Sequence, residues 1–183
     1  MACNIATGRK EVTCKENLGG IKNVYLFNYD KSMYGDLTQA SGLITAWDNS
    51  GTADVYKIEL QGTGNSFDEA GEVSRENGTV LYGQTLTIAL KQQDPLTKDF
   101  LNTLGKGRPH AIVEDYNGTF RLAGQENGLD AQVSTASGSA MGDLSGYTIA
   151  LTGQERDLSP FVTPSLVVAG GIFDVMTAEI DLN

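Results

Sequence analysis

His110 is the only histidine in the chain. Imidazole is the side chain whose charge changes nearest neutral pH, so a catalytic acid or base would fall here first. The residue follows Pro109 and opens an apolar run, where a lone histidine is expected to be a packing residue. With no second histidine, neither a zinc site nor a Ser-His-Asp triad is well supplied. Cys3 and Cys14 have no histidine beside them and make no metal-ligand pattern. Free thiols are expected, with a disulfide between them as the alternative. Carboxylates occur in adjacent pairs, Asp68-Glu69 and Glu114-Asp115. Neighbouring side chains on a strand point to opposite faces, so Glu114 and Asp115 are not a catalytic dyad. GxSxG, P-loop and HExxH motifs do not occur, and Gly62-Thr63-Gly64 is too short for a dinucleotide fingerprint. A carboxylate-only metal or glycosidase site is the enzymatic arrangement left open. Nothing in the inventory requires an enzyme, a cofactor or a metal, and a non-catalytic role is expected.

The elements that would position such residues are clearest between residues 85 and 122. Thr85, Thr87, Ala89 and Lys91 alternate with Leu86, Ile88 and Leu90, a period of two that predicts a strand with one face on a core. The period then changes. Asp94-Pro95 supplies a carboxylate cap and then a residue that needs no N–H at the first helical position. Leu96, Phe100, Leu101 and Leu104 fall on one helical stripe. Gly105 stands where a left-handed cap is expected and Pro109 forbids continuation, so a short helix is predicted over 94–105. Residues 111–116 and 119–122 predict a hairpin closed by a two-residue type I′ turn at Asn117-Gly118. That register sets Glu114 opposite Arg121.

At 183 residues, 40% hydrophobic and 20% charged, the chain is expected to form a single domain, 1–183, with a real core. Twenty-two glycines against four prolines suit many turns between short strands. The net charge of −10 repels a nucleic-acid backbone and argues against a domain that grips DNA or RNA. It does not argue against a surface that nucleic acid slides past, and it also serves solubility. No apolar stretch follows a basic start at the N-terminus. The apolar run 161–176 is broken by Thr163, Pro164, Gly170-Gly171 and Asp174. Neither a secretory signal nor a membrane span is expected, which places synthesis in a cytosol.

Taken in order, residues 1–20 form a polar N-terminal extension. Residues 24–29 predict a strand with bulk on both faces: Val24 and Leu26 on one, Tyr25, Phe27 and Tyr29 on the other. One face is expected to meet a partner, or both to lie inside one sandwich. Residues 43–47 and 55–61 predict a hairpin across a turn at 48–51. Trp47 is expected in the core, with an interface role as the alternative; Tyr25, Tyr29 and Trp47 are the candidate interface aromatics. Residues 62–79 are polar and acidic and are expected to form a long loop, ended by a turn at Asn77-Gly78. A second polar stretch covers 124–144. Residues 147–152 then alternate as a clean strand, with Thr148, Ala150 and Thr152 outward. Residues 160–183 form a C-terminal extension that adds one or two strands.

Residues 56–61, the 62–79 loop, the 85–91 strand, the 94–105 helix, the 111–122 hairpin and the 147–152 strand follow one another in an order that resembles the tail-tube proteins of long-tailed bacteriophages and the related type VI secretion tube. The resemblance is one of element order over residues 43–158; no single residue motif carries it. It implies a mainly β fold: an antiparallel β-sandwich or partly closed barrel with one short flanking helix and long polar loops. It also implies a virion structural protein, a major tail tube subunit. Six copies would form a ring whose inner sheets join around a DNA-conducting lumen, and rings would stack through the long loop. The expected ring-stacking residues are Asn65, Phe67, Asp68, Glu69, Glu72 and Arg75. The expected lumen face is Thr85, Thr87 and Lys91, or Thr148 and Thr152. Partners would be further copies of the chain, other phage tail or head–tail proteins, and DNA passing without specific binding; no membrane is implied. Assembly would take place in the host bacterial cytoplasm and the product would be the virion tail. One alternative is a hub, adaptor or tail-terminator ring of the same fold. Another is a carbohydrate- or receptor-binding β-sandwich using Trp47, Tyr25, Tyr29 and Tyr34 as a sugar platform.

Overall fold

The computed structural model describes residues 8–9, 11, 15–47, 53–168 and 173–176. The expected turn at 48–51, Cys3 and Cys14 lie outside them. In chain order these residues form β1 (Ile21–Phe27), a short helix α1 (Met33–Asp36), β2 (Leu37–Ala40), β3 (Leu43–Trp47), β4 (Ala53–Glu59), β5 (Ser66–Ser74), β6 (Thr79–Lys91), α2 (Pro95–Leu104), β7 (His110–Asp115), β8 (Phe120–Ala123), β9 (Asp130–Ala136), β10 (Gly146–Glu155), β11 (Phe161–Val162), β12 (Val167–Val168) and β13 (Phe173–Met176). The fold is mainly β, as expected from the short alternating runs.

The strands make two sheets. The larger has the order β12-β13-β4-β1-β7-β8-β11-β3-β2, and the smaller the order β5-β6-β10-β9. One apolar cluster takes a residue from each of the nine strands of the larger sheet, among them Tyr25, Leu37, Ile44, Trp47, Val55, Ile112, Leu122, Val162, Val167 and Phe173. Side chains from every strand can converge on one cluster only if the sheet curls, and it forms a half-barrel around them. The other core lies between the sheets. There Val24, Leu26, Ala111 and Val113 meet Leu86, Ile88, Ile149 and Leu151, with Leu101 and Leu104 of α2 at the side. Each fully buried Leu or Ile here contributes about 1.5–3 kcal/mol. The two-faced β1 is explained by this arrangement: Val24 and Leu26 fill one core, Tyr25 and Phe27 the other.

Helix α2 begins as its sequence requires, with Asp94 accepting from Leu96 N and Thr97 N. It ends differently. Gly105 is right-handed (φ −67°), not left-handed, because tightened turns absorb the last carbonyls. Lys106 N donates to Thr103 O and Gly107 N to Leu104 O, each at 3.1 Å. Of the expected stripe, Leu101 and Leu104 are buried, while Leu96 on the first turn is exposed.

Several pairings differ from expectation. β3 and β4 do not form a hairpin. β3 pairs with β2 and, in parallel, with β11, while β4 pairs with β1 and, in parallel, with β13. Ser41 and Gly42 both take positive φ (55° and 79°), which closes β2 onto β3 locally. The 111–122 hairpin has a three-residue loop instead of two. Gly118 N donates to Asp115 O, Asp115 N to Thr119 O, and only Gly118 takes positive φ. The Asp115 carboxylate fixes this turn by accepting from Asn117 N and Thr119 N. The shift of one residue sets Arg121 opposite Val113, and Glu114 opposite Phe120. The described residues of the 160–183 stretch include the expected strands as β12 and β13, and they are not appended to a finished core, because β11, β12 and β13 are strands of the larger sheet and Phe173 is fully buried in it. Finally, 62–79 is not a long loop. It contains β5, paired with β6 over nine residues, and the turn between them.

Candidate functional site

The smaller sheet has one face in the inter-sheet core and one face bare. Register settles which residues share the bare face. Ser66, Thr87, Ala150 and Gln132 form one cross-strand row, and Asp68, Thr85, Thr152 and Asp130 the next. Ala89, Thr148 and Ser134 form a third, and Lys91, Gly146 and Ala136 a fourth. The two sets expected as alternative lumen faces, Thr85, Thr87 and Lys91 of β6 and Thr148 and Thr152 of β10, therefore lie side by side on a single face. Thr85, Lys91 and Thr152 are exposed, and Thr87 and Thr148 half-buried.

The chemistry of this face is quiet. Its side chains are small and mostly uncharged, with carboxylates at both edges, Asp68 on β5 and Asp130 on β9. No aromatic ring stands in these rows for a base to stack on. Among the described residues no strand pairs with the outer edge of β5 or of β9, so two rows of backbone groups are open. Sequence reading missed both β5 and β9, and half of the face with them, β9 lying in the polar stretch 124–144. The signal there was weak: Ala131, Val133 and Thr135 alternate with Asp130, Gln132 and Ser134, too small a contrast to mark a strand.

The six expected stacking residues separate. Phe67 packs against the inter-sheet core. Asn65 accepts from Ala89 N (2.8 Å) and so continues the edge of β5. Asp68 belongs to the bare face. Glu69 points inward, accepting from Gln84 Nε2 (3.0 Å), Ser159 N (2.8 Å) and Ser159 Oγ (2.7 Å). Only Glu72 and Arg75 lie on a projecting part. β6 pairs with β10 from Tyr82 onward, so residues 72–81 stand beyond the small sheet as a two-stranded arm. Val73 is 71% exposed on it, opposite Val80 on the same face, and Leu81 is exposed on the other face.

A chain of buried hydrogen bonds anchors the base of this arm. Gln84 links Glu69 to Gly124, whose N–H donates to Gln84 Oε1 (2.8 Å). The Gly124 carbonyl accepts from His110 Nδ1, and His110 Nε2 accepts from Asp30 N (3.0 Å). His110 is fully buried between the rings of Tyr29 and Phe27, each 5.1 Å away. Burial holds its pKa below the usual imidazole value, against the bonds to Gly124 and Asp30. Its role is therefore to pack and to connect. At the arm end, Glu155 accepts from Glu126 N and Asn127 N, yet burial pushes its pKa up.

Glu114 makes a second buried cluster. A β-bulge at Lys22 turns both Lys22 and Asn23 toward it. Asn23 Nδ2 (2.6 Å), Tyr25 OH (2.8 Å) and Lys22 Nζ (3.0 Å) all donate to its carboxylate. Burial opposes ionisation, but these bonds and the Lys22 charge outweigh it and hold Glu114 below the ordinary glutamate range. Tyr25 is pushed in the other direction by burial and by the Glu114 bond and charge. Tyr25 and Trp47 are thus core residues and not an interface pair, and Tyr29 stacks on His110. The sugar platform expected from Trp47, Tyr25, Tyr29 and Tyr34 is not formed. Among the described residues no group of three or more His, Cys, Asp or Glu is placed to hold a metal. Nor, among the described residues, is any helix long and apolar enough to cross a membrane. Comparison with protein families, curated proteins and solved structures finds no match for the chain.

Proposed function

We propose that the chain is the repeating subunit of a bacteriophage tail tube, with the bare face of the smaller sheet lining the lumen. The observation that carries this reading is the smaller sheet itself: one face packed, one face small and polar, and both edges open. Edge-to-edge pairing of six such sheets closes a ring and satisfies the open backbone groups. The arm at 72–81 takes the part of the ring-to-ring connector. A lumen of Thr, Ser, Ala and Gln, with Lys91 as the one cation of its rows and carboxylates at each seam, offers a polyanion no cationic groove, so DNA passes without being held. Other tail or head–tail proteins would meet the two ends of the stack.

The variant Asp130→Lys/Thr152→Lys tests this. Both residues are exposed on the bare face, so tubes still assemble, while DNA delivery by particles carrying the variant slows because the lumen now binds phosphate. Delivery at the normal rate by assembled variant particles would contradict the lumen assignment.

A further inference from the structure

A groove of about 410 Å³ opens where β5 begins, at the end of the fold opposite the arm. Leu18, Phe67, Asp68 and Arg121 are among the residues that line it. Leu18 is 60% exposed, held in place by Asn117, which bonds both its N–H and its carbonyl. The Arg121 guanidinium lies 5.3 Å from the Phe161 ring and, among the described residues, makes no ion pair. The groove therefore combines an open apolar wall with one cation, Arg121, and two carboxylates, Asp68 and Asp115, of which Asp115 is engaged by the N–H groups of its own turn.

The arm carries apolar and charged residues that can meet the groove. Val73 and Val80 pair across its two strands and are exposed together on one face, with Leu81 on the other. Glu72, Arg75 and Glu76 supply two carboxylates and one cation. Adjacent exposed branched residues on a two-stranded ribbon call for a covering surface. The arm cannot reach its own groove, because Asp68 and Ser74 lie six residues apart on β5, about 20 Å at strand spacing. A knob at one end of a strand and a socket at the other make a heterologous contact, which repeats from copy to copy.

We propose that this groove receives the tip of the β5–β6 arm of a second copy of the chain, with Glu76 directed to Arg121, Arg75 to Asp68, and Val73 and Val80 on Leu18. The inference rests on the reading that copies stack, and it names the socket.

The test uses the full chain with Cys3→Ser and Cys14→Ser, into which Asn77→Cys and Asn17→Cys are introduced together or singly. Both positions are exposed, Asn77 is in the turn at the arm tip beside Glu76, and Asn17 lines the groove. After mild oxidation the double variant gives a ladder of disulfide-linked dimers, trimers and higher species on a non-reducing gel, and each single variant gives no species beyond a dimer. Electron microscopy of the same samples separates the two levels of the account. Stacked rings without a ladder would overturn the socket and leave stacking intact. Absence of both ladder and stacked rings would overturn the socket and the stacking reading together.

Discussion

Glu114 is 6% exposed and carries three donors on its carboxylate, so its charge is tied to the packing of β1 against β7. Glu114→Ala leaves Asn23, Tyr25 and Lys22 without their acceptor and is expected to lower stability by about 2–4 kcal/mol in urea unfolding. A loss under about 0.5 kcal/mol would show that the cluster does not hold the strands together. His110 gives a pH signature at the same scale. Its folded-state pKa is lowered, so the unfolded chain binds the proton more tightly. Its contribution is complete above the unfolded value of about 6.5 and declines as pH falls through that value toward the folded one. The urea midpoint is therefore expected to drop between about pH 7.5 and 5. The decline flattens in His110→Phe, which has no titrating group there. A wild-type midpoint that rises over this window would contradict the neutral, doubly bonded imidazole.

At the scale of elements, the seam between β6 and β10 is the most constrained. A Cβ on Gly146 would lie 2.0 Å from the Leu90 carbonyl oxygen, which is backbone and cannot swing away. Gly146→Ala is expected to cost about 3 kcal/mol in thermal or urea unfolding by forcing the strands apart. A neutral result would mean that the seam is looser than its register. The same seam shows what was legible beforehand. β6 and β10 bury one face and expose the other, so Leu86, Ile88, Ile149 and Leu151 mark them by alternation alone. The start of α2 was legible because Asp94-Pro95 acts locally. β5 and β9 are edge strands with little to bury beyond Phe67 and Ala131, so polar sequence hid regular pairing. The β3–β4 error has the opposite origin: both runs are strands, but their partners are distant, β11 and β13, and local spacing carries no trace of that. At the 111–122 hairpin, Asn-Gly suggested two turn residues, whereas the Asp115 carboxylate stabilised three and moved Glu114 away from Arg121. For the candidate site, the β6 and β10 halves were each readable, but their union on one face needed the register.

At the scale of the molecule, the larger sheet is nearly self-contained, since its curl encloses its own core. The smaller sheet is the incomplete part, with two open edges, a bare polar face and an arm that leaves the body. Net charge of −10 over 183 residues opposes the binding of a nucleic-acid backbone to such a surface. Completion by further copies accounts for all three features at once, and negative-stain electron microscopy of the purified chain at high concentration tests it most directly. The account predicts six-fold rings, alone or stacked into tubes, with a stain-filled central channel. Particles that remain single copies across the whole concentration range would contradict it.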